Sequence, residues 1–210
     1  IWNYIPGINQ GTGDDELYRQ FCLGRAEAVL IDPGDRPPLP AATGIGTPMD
    51  EPALQVYFLA GALPGLDVEN PRQVSAWRYP RRYGPRSPLF SRATIMRMNG
   101  TSQFLISGTA SIVGHQTHHE NQVANQLNES LRNVHSLLDE GHRLMGNPRA
   151  RLDSDGIIKV YIRDPADFEL IRNTLDAETP AEIPRIYLQG DICRENLLTE
   201  IDGIVSCRRS

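Results

Sequence analysis

An α/β (α+β) fold, with one sheet carrying two helices on a single face, is what the second half of this sequence predicts. Three observations lead there. Residues 101–113, TSQFLISGTASIV, read as a strand that opens into a Gly/Ser/Thr turn. From about Glu120 the apolar residues Val123, Leu127, Leu131, Val134 and Leu138 are spaced 4, 4, 3 and 4 apart, the stripe of an amphipathic helix. Residues 157–163, IIKVYIR, then read as a strand, and a second helix begins in DPADFELIRNTL.

Each element has a local reason. Gly141 is placed to stop the long helix. Asp164 is a side-chain N-cap for the second helix, with Pro165 at its first position. Pro184 introduces the strand RIYLQG, and a turn near 191–196 leads to LLTEIDGIV. In that last strand Leu198, Glu200 and Asp202 share a face by two-residue alternation.

A faint internal repeat organises the first half. WNYIP (2–6) corresponds to KVYIR (159–163), and DDELYRQFCLGRAEA (14–28) to the helix around DFELIRNTLDAE. PAATGIG (40–46) corresponds to PRIYLQG (184–190), and LQVYFLAG (54–61) to LLTEIDGI (197–204). The first half thus reads as the tail half of the same fold, and its own opening strands and long helix are expected ahead of Ile1. The boundaries expected are a partial unit over 1–75, an aromatic and basic connecting segment over 76–92 and a full unit over 93–210. Ordered connections of that composition often carry function.

Charge and cysteine usage exclude several classes. With 21 basic against 26 acidic residues the net charge is −5, a poor match to a nucleic-acid backbone. No apolar run reaches the roughly 18 residues of a membrane span, and no charged segment ahead of IWNYIPGIN makes it a signal peptide. Cys22, Cys193 and Cys207 form neither a disulfide framework nor a zinc pattern, and suggest a reducing cytoplasm. Lys159 is the single lysine. Arginine-biased codons account for that; arginine is also the side chain that grips carboxylates bidentately. His115, His118 and His119 in GHQTHHE precede the helix and have no carboxylate or thiol partner, so no metal is expected.

FSRA, FLISGTASIVGH and PRIYLQGDICRENLLTEIDGI together are similar to the RidA/YjgF (bacillus chorismate mutase-like) fold family. In that family an Arg after a Pro and a Glu in the final strand frame a small-carboxylate pocket. Arg185 and Glu200, 15 residues apart, stand at those positions. The fuller set, IWNYIPGIN, YRQFCLGRA, ATGIG, ENPRQVSAW, YP…YGP and SGTASIVGH, resembles the chorismatases over nearly all 210 residues. The resemblance implies three related domains in a pseudo-threefold arrangement, the first of them missing here. It also implies a site between the central and C-terminal domains, a monomer at full length, chorismate as small-molecule substrate and no cofactor.

Chorismate is a dianion, so a specific site needs at least two fixed cations or equivalent donors. The resemblance offers Arg185 and Arg92. Tyr18 and Arg25, seven apart on one predicted helix face, would present a phenol and a guanidinium together, and Tyr83 would close over the ligand. Glu200, in an otherwise apolar strand, is the expected general acid that protonates the enolpyruvyl methylene, giving an oxocarbenium carbon whose ring–oxygen bond then breaks. Cys193 marks the aromatic-product branch, in which the neighbouring ring hydroxyl displaces the side chain internally and a thiol or thiolate assists rearomatisation. Gly108 or Ala110 would border the ring. The expected reaction is chorismate to 3-hydroxybenzoate, with 4-hydroxybenzoate as a second product in some members, plus pyruvate. The competing readings are a hydrolytic chorismatase giving a dihydroxycyclohexadiene carboxylate, a RidA-like enamine or imine deaminase using Arg185 and Glu200, and a non-catalytic carboxylate-binding module.

Overall fold

A computed structural model describes residues 1–29, 39–50, 52–98, 101–146 and 149–208. In chain order the strands and helices are β1 (Trp2–Pro6), α1 (Leu17–Val29), β2 (Thr43–Thr47), β3 (Gln55–Tyr57), β4 (Leu66–Val68), β5 (Ala93–Met98), β6 (Thr101–Ala110), β7 (Ile112–Val113), β8 (Gln116–Thr117), α2 (Val123–Met145), β9 (Arg149–Ala150), β10 (Ile157–Ile162), α3 (Phe168–Glu178), β11 (Arg185–Gln189), β12 (Asp191–Ile192) and β13 (Thr199–Arg208). The fold is α+β, with two helices on one face of the larger sheet.

That sheet runs β11-β10-β13-β6-β5-β4, with β9 beside β13; the smaller sheet runs β12-β2-β1-β3. β10 and β11 are parallel, and β10 and β13 antiparallel. The first half repeats the pattern: β1 is parallel to β2 and antiparallel to β3. The segments paired by the internal repeat thus occupy equivalent places, and Tyr4 and Tyr161, matched in that repeat, meet hydroxyl to hydroxyl at 3.3 Å.

The sheet's helix face is apolar. Leu127, Leu131, Val134 and Leu138 of α2 and Ile171 and Leu175 of α3 pack on Phe104, Ile106, Val160, Ile201 and Val205. Burying a side chain of this size stabilises by about 1.5–3 kcal/mol. Strand alternation sends Lys159, Tyr161, Glu200 and Asp202 to the opposite face, where Lys159 pairs in register with Asp202 and Tyr161 with Glu200. Leu198 does not share that face: it precedes β13 and packs against the helix-side core.

The long helix differs from expectation at both ends. It starts at Val123 rather than near Glu120, because His119 and Asn121 hold φ values of 58° and 59°, outside helical space. It runs through Gly141 to Met145 and ends at Gly146, φ 70°. Gly141 lies inside the helix because the Phe104 ring occupies the space a Cβ would take. The strand expected over 101–113 breaks after Ala110, where Ser111 Oγ donates to the His118 carbonyl at 2.9 Å and the chain turns into the β7–β8 hairpin. Asp164 caps as expected, accepting from the Ala166 amide at 2.9 Å in a 3-10 turn that leads into α3. Among the described residues no helix is long and apolar enough to cross a membrane.

Candidate active site

A cleft of about 1160 Å³ opens between the first-half helix α1 and the polar face of the large sheet. Glu200, Gly108, Ala110 and Cys193 line it, as do Tyr18 and Arg19 from α1. The connecting segment supplies Tyr79, Arg82, Tyr83, Phe90 and Arg92. β12 crosses from the second half to pair with β2, Ile192 opposite Ile45, and so delivers Cys193 and Arg194 to the cleft.

Glu200 is 4% exposed. Burial in this site, with the Asp202 charge added, pushes its carboxyl up to about 8, against the opposing pull of Arg92 and Lys159. It is therefore protonated at neutral pH. Gly108 lies directly beneath it: any Cβ there would fall inside the Glu200 carboxyl. Ala110 is its neighbour across the β6–β13 ladder. Burial, and then the Glu200 charge, pushes the Cys193 thiol up to about 12. The thiol form is therefore favoured at Cys193 at neutral pH.

The guanidinium groups of Arg92 and Arg194 line the cleft along with this acid. Arg92 is 4% exposed; its Nη2 donates to the Val74 carbonyl and the Tyr79 hydroxyl, both at 2.8 Å. Its Nε is buried without a hydrogen-bond partner among the described residues. Arg194 stacks on the Tyr83 ring at 4.1 Å and donates to the His115 carbonyl at 3.0 Å. Tyr83 is fixed in turn by its hydroxyl, 3.3 Å from His115 Nδ1. Tyr18 lines both the cleft and a small inner chamber of about 40 Å³ behind it. Burial raises its phenol well above the ordinary range. Arg25 also lines the inner chamber, where its Nε donates to the Leu89 carbonyl at 3.0 Å.

Arg185 is a correction. It pairs in register with Ile158 on the helix face of the sheet, opposite to Glu200, two strands away. Its guanidinium is taken up by Asp176, by Thr179 Oγ1 at 2.9 Å and by the Pro180 carbonyl at 2.9 Å. It locks the end of α3 to β11 and does not line the cleft. Sequence reasoning missed Arg194 and Tyr79. The signal for Arg194 was its position next to Cys193 in the 191–196 turn. The three histidines are apart from any metal arrangement: His115 binds Arg82 and Tyr83, and His119 Nε2 lies 3.5 Å from Glu129. Among the described residues no cluster of three or more metal-ligating side chains forms.

Residues 1–60 match the family model described as chorismatase FkbO/Hyg5-like, N-terminal. A chorismatase of Streptomyces rapamycinicus is 40% identical over 212 residues, covering 98% of this chain and 63% of that protein. A 3-hydroxybenzoate synthase of Streptomyces hygroscopicus is 37% identical over 213 residues, covering 98% and 62%. A chorismatase crystal structure superposes with a TM-score of 0.81 at 36% identity, over 97% of this chain and 62% of that one. A yeast protein, YEO7, shares the fold alone, at a TM-score of 0.52 and 12% identity over 69% of this chain and 99% of that one. The chain spans about three-fifths of the length of the curated relatives it matches. Over 98% of its length in sequence, and in fold, the chain is similar to the chorismatases.

Proposed function

We propose that this chain carries the active site of an enzyme that converts chorismate to 3-hydroxybenzoate and pyruvate. The observation that carries the reading is the buried Glu200, its carboxyl pushed up to about 8, in a cleft that Arg92, Arg194 and Cys193 also line. The two carboxylates of chorismate fit the two guanidinium groups; Arg194 takes the place first assigned to Arg185. Tyr83 and Tyr18 flank the bound ring, and Gly108 lets it approach the acid closely.

The bond changes follow from that placement. Glu200 gives its proton to the enolpyruvyl methylene, and positive charge develops at the ether carbon. The ring–oxygen bond breaks and its electron pair becomes the pyruvate carbonyl. The neighbouring ring hydroxyl gives up its proton and its oxygen bonds the vacated carbon, forming an epoxide. The oxygen's bond to its original carbon then breaks as the oxygen regains a proton, and loss of the hydrogen on the carbon that now bears it restores aromaticity. Glu200 recovers a proton in the last step, so the cycle closes with no net water consumed. Hydrolysis to the dihydroxycyclohexadiene acid consumes one water, which distinguishes the two outcomes.

The enamine-deaminase reading needs Arg185 and Glu200 in one pocket, and they lie on opposite sheet faces. We also propose that the enzyme works as a monomer in the reducing cytoplasm. The test is to mix protein and chorismate and follow pyruvate with lactate dehydrogenase and NADH, then chromatograph the products. Pyruvate with 3-hydroxybenzoate, with or without 4-hydroxybenzoate, is expected. A dihydroxycyclohexadiene acid alone would remove the aromatic branch, and no pyruvate would remove the chemistry.

A further inference from the structure

Two residues beyond Glu200 on β13 lies a second buried carboxyl that the proposed reaction does not use. Asp202 is fully buried. Its Oδ2 accepts from Thr43 Oγ1 at 2.8 Å and from the Tyr161 hydroxyl at 3.0 Å, and pairs with Lys159 Nζ at 3.1 Å. Lys159, the chain's single lysine, also donates to the Tyr161 hydroxyl at 2.8 Å and stands 4.8 Å from the Trp2 ring centroid. Burial raises the Asp202 carboxyl, and the partly exposed Lys159 ammonium, with the Thr43 and Tyr161 hydroxyls, pulls the other way.

The cluster is built against the seat of the acid. Thr43, which donates to Asp202, accepts the Gly108 amide at 3.1 Å, and Gly108 is the residue beneath Glu200. β1 and β2 of the first half supply Trp2, Tyr4 and Thr43; β10 and β13 of the second supply Lys159, Tyr161 and Asp202. The seam between the halves is therefore pinned at the point where the acid sits.

We propose that Asp202 is a positioning residue for Glu200: its carboxylate, held by Lys159, Tyr161 and Thr43, is a negative charge beside Glu200 that keeps the proton there until the substrate takes it. This rests on the reading of Glu200 as the acid. The groups that face Glu200 are Asp202 on its own strand, Lys159 and Tyr161 from β10, Arg92 ahead of β5, Tyr18 from α1 and Cys193 after β12. Tyr18 and Cys193 are neutral at neutral pH. Arg92 and Lys159 favour the anion, each less than Asp202 opposes it. Without Asp202 the balance tips toward ionised Glu200, and the acid loses its proton at lower pH.

The test is a titration by carbon-13 NMR of protein labelled at glutamate Cδ, with Glu200→Gln identifying the Glu200 signal. In Asp202→Asn the Glu200 midpoint is expected to fall by about one pH unit. That variant leaves Lys159 without its partner, so Asp202→Asn/Lys159→Met is measured beside it. The double variant removes both charges, and because Asp202 outweighs Lys159 the midpoint still falls, by less. An unchanged or raised midpoint in either folded variant overturns the proposal. A lowered midpoint supports it, and the basic limb of the kcat/KM profile for chorismate should move by the same amount. If the midpoint falls but the wild-type protein releases no pyruvate from chorismate, the coupling stands and the proposed function fails.

Discussion

Glu200 and Arg185 show how differently two residues of one family spacing turn out. Glu200 was legible because a carboxyl in LLTEIDGIV breaks an apolar strand, and alternation alone sends it away from the helices. Arg185 was not, because its face depends on the register of β10 with β11 and on Asp176, one helix earlier, offering a carboxylate to meet it. The two arginines therefore separate cleanly by mutation. Arg194→Ala, which removes a guanidinium from the cleft, is expected to raise KM for chorismate about ten- to a hundredfold, the cost of one charge-assisted contact. Arg185→Ala is expected to lower the melting temperature and leave KM unchanged in steady-state assays. Cys193 gives a third expectation. In the proposed reaction its raised thiol serves to donate or shuttle a proton. Cys193→Ala should keep releasing pyruvate while the chromatogram shifts from 3-hydroxybenzoate toward non-aromatic product.

At the scale of elements, the amphipathic period of α2 and the repeat of β1–α1–β2 by β10–α3–β11 were readable, because both are local patterns of apolar spacing. The helix ends were not. His119 and Asn121 adopt left-handed backbone in a segment held by long-range contacts: Thr117 and Glu120 both bond Asn196 in the turn before β13. Gly141 reads as a stop signal in one dimension, yet its function is to admit the Phe104 ring against the helix. Gly141→Ala is accordingly expected to destabilise. An exposed helix position would gain up to about 1 kcal/mol from that change, whereas here overpacking costs about 1–3 kcal/mol. Urea unfolding followed by circular dichroism measures the sign, and activity per folded molecule should be unaffected.

For the molecule as a whole, the site exists only because both halves contribute to it: α1 and β2 from the first, β6, β12 and β13 from the second. The internal repeat hinted at two related units; that a strand of one completes the sheet of the other is a tertiary fact with no local signature. The pH dependence belongs to this scale because burial between the halves raises the Glu200 carboxyl from 4.5 to about 8. As the proposed general acid, Glu200 would act only when protonated, so kcat/KM is expected to be flat below that value and to fall as pH rises through about 8. Stability follows the same sign. Between 4.5 and about 8 the folded protein holds a proton that the unfolded chain has lost, so stability declines as pH rises across that window. Glu200→Gln abolishes this slope and should be more stable than wild type at alkaline pH in denaturant titrations.

The most direct measurement is kcat/KM for chorismate in wild type and Glu200→Gln, by pyruvate release at neutral pH, with circular dichroism showing both folded. Loss of a general acid predicts a fall of about 10²–10⁴-fold, together with disappearance of the limb near pH 8. Turnover by the glutamine variant close to that of wild type would contradict the account at its centre.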